Sequence, residues 1–170
     1  AEYGCGLQDI VRRRKNDLTG ILNGIDYSVW DPATDPLIPH TYDFKTIDQK
    51  VENKKALLKQ MGLPFMEHVP VIGMVSRLAE QKGIDILMKV FDELMQLPLQ
   101  IIVLGMGEKR YHDFFARAQK KYGERFAAHL SFNGNLAHLI EAGSDMFLMA
   151  SRFEPCGLNQ MYSMRYGTVP

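Results

Sequence analysis

From Val69 onward the chain alternates short apolar runs with segments whose apolar residues recur every three or four positions, and this alternation constrains the fold more than any other feature. A short apolar run bounded by turn formers is a buried strand, and a helical crossover between two such strands makes them parallel. Strands are expected over residues 69–76, 99–104, 129–133 and 146–150. Between them, Ile84, Leu87, Met88, Phe91, Leu94 and Met95 form one face of a helix over 82–95, and Tyr111, Phe114, Phe115 and Ala118 do the same over 109–121. Leu136, Leu139 and Ile140 mark a short helix ended by Gly143, and a last helix over 158–166 is closed by Gly167. The fold class is therefore α/β, a Rossmann-like parallel sheet flanked by helices.

Residues 1–68 lack this alternation. The stretch 18–25 is expected as one strand, and 26–46, rich in Pro and Asp, as a linker. Asp48 is predicted to cap a helix over 49–61 that Gly62 and Pro64 end. This divides the chain into 1–30, the end of a preceding domain mostly absent from the sequence, 31–68, a linker and helix, and 69–170, the Rossmann-like unit truncated at its C-terminus. A start at Ala1 without Met, and a stop at Pro170 where another strand should begin, are read as a fragment of a longer polypeptide.

Composition excludes several function classes. Twenty basic residues balance twenty acidic ones, so no broad positive field exists to attract nucleic acid or an anionic membrane. Cys5 and Cys156 stand far apart without metal-ligand spacing, which argues against a disulfide framework and a zinc site and favours a reducing cytoplasm. The apolar runs are strand-sized, well short of the roughly 20 residues a membrane span requires, and the first residues carry no export signal.

In a parallel sheet with helical crossovers, ligands lie at the carboxyl ends of the strands. The loop after the first strand carries Arg77 and Lys82 beside a helix start, where free backbone amides also favour an anion; solvated loop charges are the alternative. The loop after the fourth strand carries Glu154, Pro155, Cys156, Gly157 and Leu158. Its carboxylate can accept from sugar hydroxyls beside amides suited to phosphate, or simply offset the helix dipole, with Cys156 as a small buried hydrophobe. Gly105-Met106-Gly107 lacks the third glycine of a dinucleotide fingerprint and is expected as a tight turn. The run Arg12 to Lys15 is expected as a solvated helix end, and His138 as a packed or surface histidine.

Taken together, Ser76-Arg77-Leu78 with Gln81-Lys82-Gly83, the block from Ser151 to Leu158 (SRFEPCGL), the block from Arg165 to Pro170 (RYGTVP), and Asn23-Gly24-Ile25-Asp26 with Trp30-Asp31-Pro32 resemble the bacterial and plant glycogen/starch synthase family over nearly the whole chain. The resemblance implies the C-terminal half of a glycosyltransferase B fold, with residues 1–30 closing the acceptor-side domain. It also implies retaining transfer of glucose from a nucleotide sugar to the non-reducing end of an α-1,4-glucan. Arg77 and Lys82 would neutralise the leaving diphosphate, Glu154 would hold glucose hydroxyls, and the amides of Gly157 and Leu158, after Cys156, would cap the phosphates. Phe132 would stack on the nucleobase, although Ser131-Phe132 stands where Gly-Tyr is commoner, and Asn23 would reach the donor glucose. ADP-glucose is the expected donor, with UDP-glucose open, and no Asp-x-Asp pair occurs, so neither a metal nor another cofactor is expected. The family's acceptor-side residues are not in this sequence, so the chain alone is expected to hold nucleotide without catalysing transfer. The localisation implied is cytoplasmic, or plastid in a plant.

Two other readings compete with this one. The first is a non-catalytic nucleotide-binding Rossmann-like module. The second is a nicotinamide-dependent dehydrogenase, which the missing third glycine disfavours.

Overall fold

The computed structural model describes residues 5–170, so the first four residues of the expected N-terminal segment lie outside the described range. A four-stranded sheet in the order β3-β2-β1-β4 forms the centre, built from β1 (Val71–Val75), β2 (Gln100–Leu104), β3 (Phe126–His129) and β4 (Met146–Phe147). Every pairing is parallel. Helices α1 (Gln8–Arg13) and α2 (Lys50–Met61) precede the sheet, and α3 (Ile84–Leu94), α4 (Lys109–Lys121), α5 (Gly134–Gly143) and α6 (Leu158–Arg165) follow its strands.

Alternation along the strands divides the core into two layers. Ile101 and Val103 of β2 face α3 and α4, where Ile84, Leu87, Phe91, Tyr111 and Phe115 are buried. Ile102 and Leu104 face the other way, onto Leu57 and Leu58 of α2 and Leu136, Leu139 and Ile140 of α5. The helix-period residues of the sequence are thus the ones that cover the sheet.

From β1 the chain moves outward to β2 and β3, then returns to place β4 on the other side of β1. Val169 bridges to Met146 on the far side of β4. The connections leaving β1 and β4 therefore diverge, and a crevice opens between them at the carboxyl ends.

Four expectations are corrected. The third strand is Phe126–His129, not 129–133. Burial of Phe126 and Ala127 against β2 outweighs the weak strand character of two alanines, and 130–133 turn over the crevice instead. The fourth strand stops at Phe147: the Leu148 amide still donates to the Gly73 carbonyl of β1 at 2.8 Å, and residues 149–151 then line a cleft. Residues 18–25 form no strand; Ile21 and Leu22 are 89% and 88% exposed, without a neighbour to complete a ladder among the described residues. Asp48 likewise makes no capping bond, and a 3-10 turn at Ile47–Gln49 leads into α2, which ends at Gly62 as expected.

Residues 31–68 pack closely on the sheet domain. Ile38 and Tyr42 are buried with Ala142 and Tyr166. Trp30 lies in a stack, its centroid 3.8 Å from His138 and 4.0 Å from Tyr162. His138 is thus a packed histidine, and its Nδ1 lies 2.8 Å from buried Asp35. Arg12, Arg13, Arg14 and Lys15 are exposed at the end of α1, as a solvated helix end requires.

Candidate functional site

Two loops at the crevice are held in place by backbone contacts. After β1, the Leu78 amide donates to the Met106 carbonyl at 2.8 Å, and the Glu108 amide donates to the Leu78 carbonyl at 2.9 Å. A side chain at Gly105 would bring its Cβ within 2.2 Å of the Ser76 carbonyl oxygen, and one at Gly107 within 2.2 Å of that of Leu78. The two glycines therefore serve a close approach between neighbouring turns, which accounts for the pair without a dinucleotide.

The chain then forms a 3-10 turn over Glu80–Lys82, and Gly83, at φ 66°, starts α3. This turn aims Lys82 at the loop after β4. Lys82 Nζ donates to Glu154 Oε1 at 2.5 Å, and Ser151 Oγ donates to the same oxygen at 2.6 Å. Burial, the largest single influence on the Glu154 carboxyl, disfavours its charge. The hydrogen bonds from Lys82 and Ser151 and the charges of Lys82 and Arg77 together outweigh that influence and hold it below the usual carboxylate range, so it is an anion and an acceptor at neutral pH.

Two adjoining cavities meet at Lys82. One is lined by Lys82, Ser151, Glu154 and Asn159 among others. The other, about 330 Å³, is lined by Arg77, Lys82, Met106, Phe132, Gly134 and Asn159 among others. Arg77 projects into the larger cavity and donates to Gln81 Oε1 at 3.3 Å. Phe132 stands at its rim with 85% of its surface exposed, a ring face open to a planar partner. The arrangement offers two cations, one carboxylate and one aromatic face around a volume suited to a small anionic ligand.

Arg77, Lys82, Phe132 and Glu154 are thus brought together by the fold. Gly157, at φ 76°, is the N-terminal cap of α6 and Leu158 its first residue, with the amides that any helix start leaves unpaired; neither they nor Cys156 line either cavity. Asn23 is exposed and lines neither cavity; its carbonyl oxygen lies 3.9 Å from Cys156 Sγ, a long contact. Sequence reasoning missed Asn159, which lines both cavities and donates through Nδ2 to the Val75 carbonyl at 3.2 Å. Its place in the first turn of a helix following a strand was the available signal. Among the described residues no group of three or more His, Cys, Asp or Glu side chains is placed to hold a metal ion, and no helix is long and apolar enough to cross a membrane.

Known proteins resemble this chain throughout its length. It is 53% identical to glycogen synthase 1 of Methylococcus capsulatus over 169 residues, 99% of this chain and 34% of that protein. It is 51% identical to a glycogen synthase of Kosmotoga olearia over 99% of this chain and 35% of that protein. A solved catalytic domain of starch synthase IV from Arabidopsis thaliana, bound to ADP and acarbose, superposes with a TM-score of 0.92 at 37% identity, covering 100% of this chain and 35% of that one. The chain therefore spans about a third of the length of the relatives it matches. The model of the family described as glycosyl transferases group 1 matches residues 59–170, which hold the whole sheet and both loops of the crevice, and the chain belongs to that family.

Proposed function

We propose that this chain forms the donor side of a glycogen or starch synthase, transferring glucose with retention from a nucleotide sugar to the non-reducing end of an α-1,4-glucan. The observation that carries the reading is the convergence of Arg77, Lys82 and Glu154 from two separate loops onto adjoining cavities. A leaving nucleoside diphosphate gains negative charge as the glycosidic bond breaks, and preorganised cations stabilise that charge most where water is scarce. Lys82 and Arg77 supply the cations, the α6 amides of Gly157 and Leu158 cap the phosphates, and Glu154 accepts from glucose hydroxyls. Phe132 takes the nucleobase, and Asn23 approaches the glucose from the preceding segment.

ADP-glucose is the preferred donor in this reading, supported by the ADP in the 37% identical starch synthase domain; UDP-glucose is the alternative. Two basic side chains and a helix start do the work that a divalent ion does elsewhere, so donor binding needs no metal or other cofactor. The acceptor glucan contacts parts of the relatives' length that residues 1–170 do not include. The chain by itself holds nucleotide without turning over, and its expected setting is the cytoplasm, or the plastid in a plant.

Calorimetric titration of the chain with ADP, UDP and NAD tests the proposal. ADP should bind, NAD should not, and a chelator should leave the ADP affinity unchanged. Arg77→Ala and Lys82→Ala should each weaken ADP about tenfold or more, the size of a lost charge-assisted hydrogen bond. Binding of NAD in place of ADP would overturn it.

A further inference from the structure

We propose that Arg152 is a positioning residue, which with Asp85 clamps the two loops of the crevice so that Lys82 and Glu154 meet the donor diphosphate and sugar in a fixed geometry. The inference rests on the donor-site reading above. Arg152 sits two residues before Glu154, and Asp85 three after Lys82. Its Nη1 and Nη2 donate to Asp85 Oδ1 and Oδ2, both at 2.7 Å, a bidentate pair spanning 67 residues of sequence. Nη1 also donates to the Glu80 carbonyl at 3.0 Å, and the Arg152 amide to the Gln81 carbonyl at 2.9 Å. All these acceptors belong to the turn that presents Lys82 or to the first turn of α3 directly after it.

Only a guanidinium can do this with one side chain, because its planar fork matches a carboxylate and still leaves a hydrogen for the Glu80 carbonyl. The pair's side chains are 30% and 27% exposed, so solvent screens it and its share of global stability is small. Its effect falls on geometry instead. Lys82 and Glu154 lie on separate loops, and displacement of a catalytic group by about 1 Å can cost about a hundredfold in rate. Gln81 Nε2, 3.4 Å from the Phe153 carbonyl, adds a weaker tie across the same seam.

The test measures ADP affinity of the full chain by calorimetry and, in parallel, its urea unfolding midpoint. Arg152→Lys keeps the charge and loses the fork, and Asp85→Asn keeps the shape and loses the charge. Each should weaken ADP about tenfold while the midpoint moves little, and the double variant should be no weaker than either single one. Lys82→Ala should cost less affinity in the Asp85→Asn background than in the wild type, which a merely structural role would not produce. Asp85→Glu, which can restore the carboxylate to the fork, should retain affinity within about twofold and guards against loss of folding in the others. Wild-type affinity in folded Arg152→Lys and Asp85→Asn, with Lys82→Ala still impaired, would sink the clamp and leave the donor site standing. A wild-type chain that takes up no ADP would sink both.

Discussion

Gly83 and Ala150 meet backbone to backbone across the crevice: a Cβ on Gly83 would stand 1.9 Å from the Ala150 carbonyl oxygen, and the φ of Gly83 is 66°. Both facts exclude a side chain there, one by contact and one by conformation. Gly83→Ala should therefore lower stability by about 2 kcal/mol. Because Gly83 adjoins Lys82, ADP affinity should fall with it. Urea unfolding and calorimetry measure the two losses, and retention of both would contradict the close approach.

Glu154 neutralises Lys82 through their 2.5 Å pair. Glu154→Gln leaves the cation uncompensated, so free ADP should bind several-fold tighter at low salt, with the gain shrinking as salt screens the site. The same change removes the acceptor proposed for glucose hydroxyls, so any preference for ADP-glucose over ADP should disappear. Paired titrations with the two ligands check this; weaker ADP binding would mean that Glu154 serves chiefly to hold Lys82 in place.

Glu141 is buried, and burial, opposed by a hydrogen bond from Ser163 and the charge of Lys50, pushes its carboxyl up to about 8. The folded chain therefore keeps a proton on Glu141 that the unfolded chain releases near the ordinary value of 4.5. That contribution to stability is fully present below about pH 4.5 and is lost as pH rises toward 8. Glu141→Gln, which retains an acceptor for Ser163, should become more stable relative to wild type across this window. A gain of at least about 1 kcal/mol by pH 8 is expected from denaturation at several pH values. A pH-independent difference would show that Glu141 is not held neutral.

Trp30 is the one tryptophan of the sequence and is stacked between His138 and Tyr162 at interplanar angles of 9° and 8°. Trp30→Ala should cost about 2 kcal/mol, below the range for a fully buried ring because Trp30 is only partly covered. His138→Ala should shift the emission of native Trp30 by uncovering one ring face. An unchanged spectrum would argue against the stack.

Much of this architecture could be read from the residues because helical and strand periods differ. Ile84, Leu87 and Phe91 mark α3 by spacing alone, and the carboxyl-end rule then points to Arg77, Lys82 and Glu154. The third strand lies at 126–129 and not at the expected 129–133 because Phe126-Ala127-Ala128-His129 has little intrinsic strand character and is recruited by pairing with β2. The run 18–25 misled in the opposite sense: its apolar residues suit a sheet that the described residues do not supply. The pairing of Arg152 with Asp85 was invisible because charged residues 67 positions apart carry no periodic signal, and only the meeting of two turns makes them partners. Asn159 escaped although it stands in the first turn of the helix that Gly157 and Leu158 start, because an uncharged amide carries no signal of its own.

The larger cavity is walled by segments of different origin. Arg77 and Lys82 come from the turn after β1, while Phe132 and Asn133 hang from the link between β3 and α5, and Gly134 opens α5. In the proposed donor site, base preference and phosphate grip would therefore be modular: exchanging positions 131–133 should retune which nucleoside is accepted and leave the charge-handling apparatus unaltered.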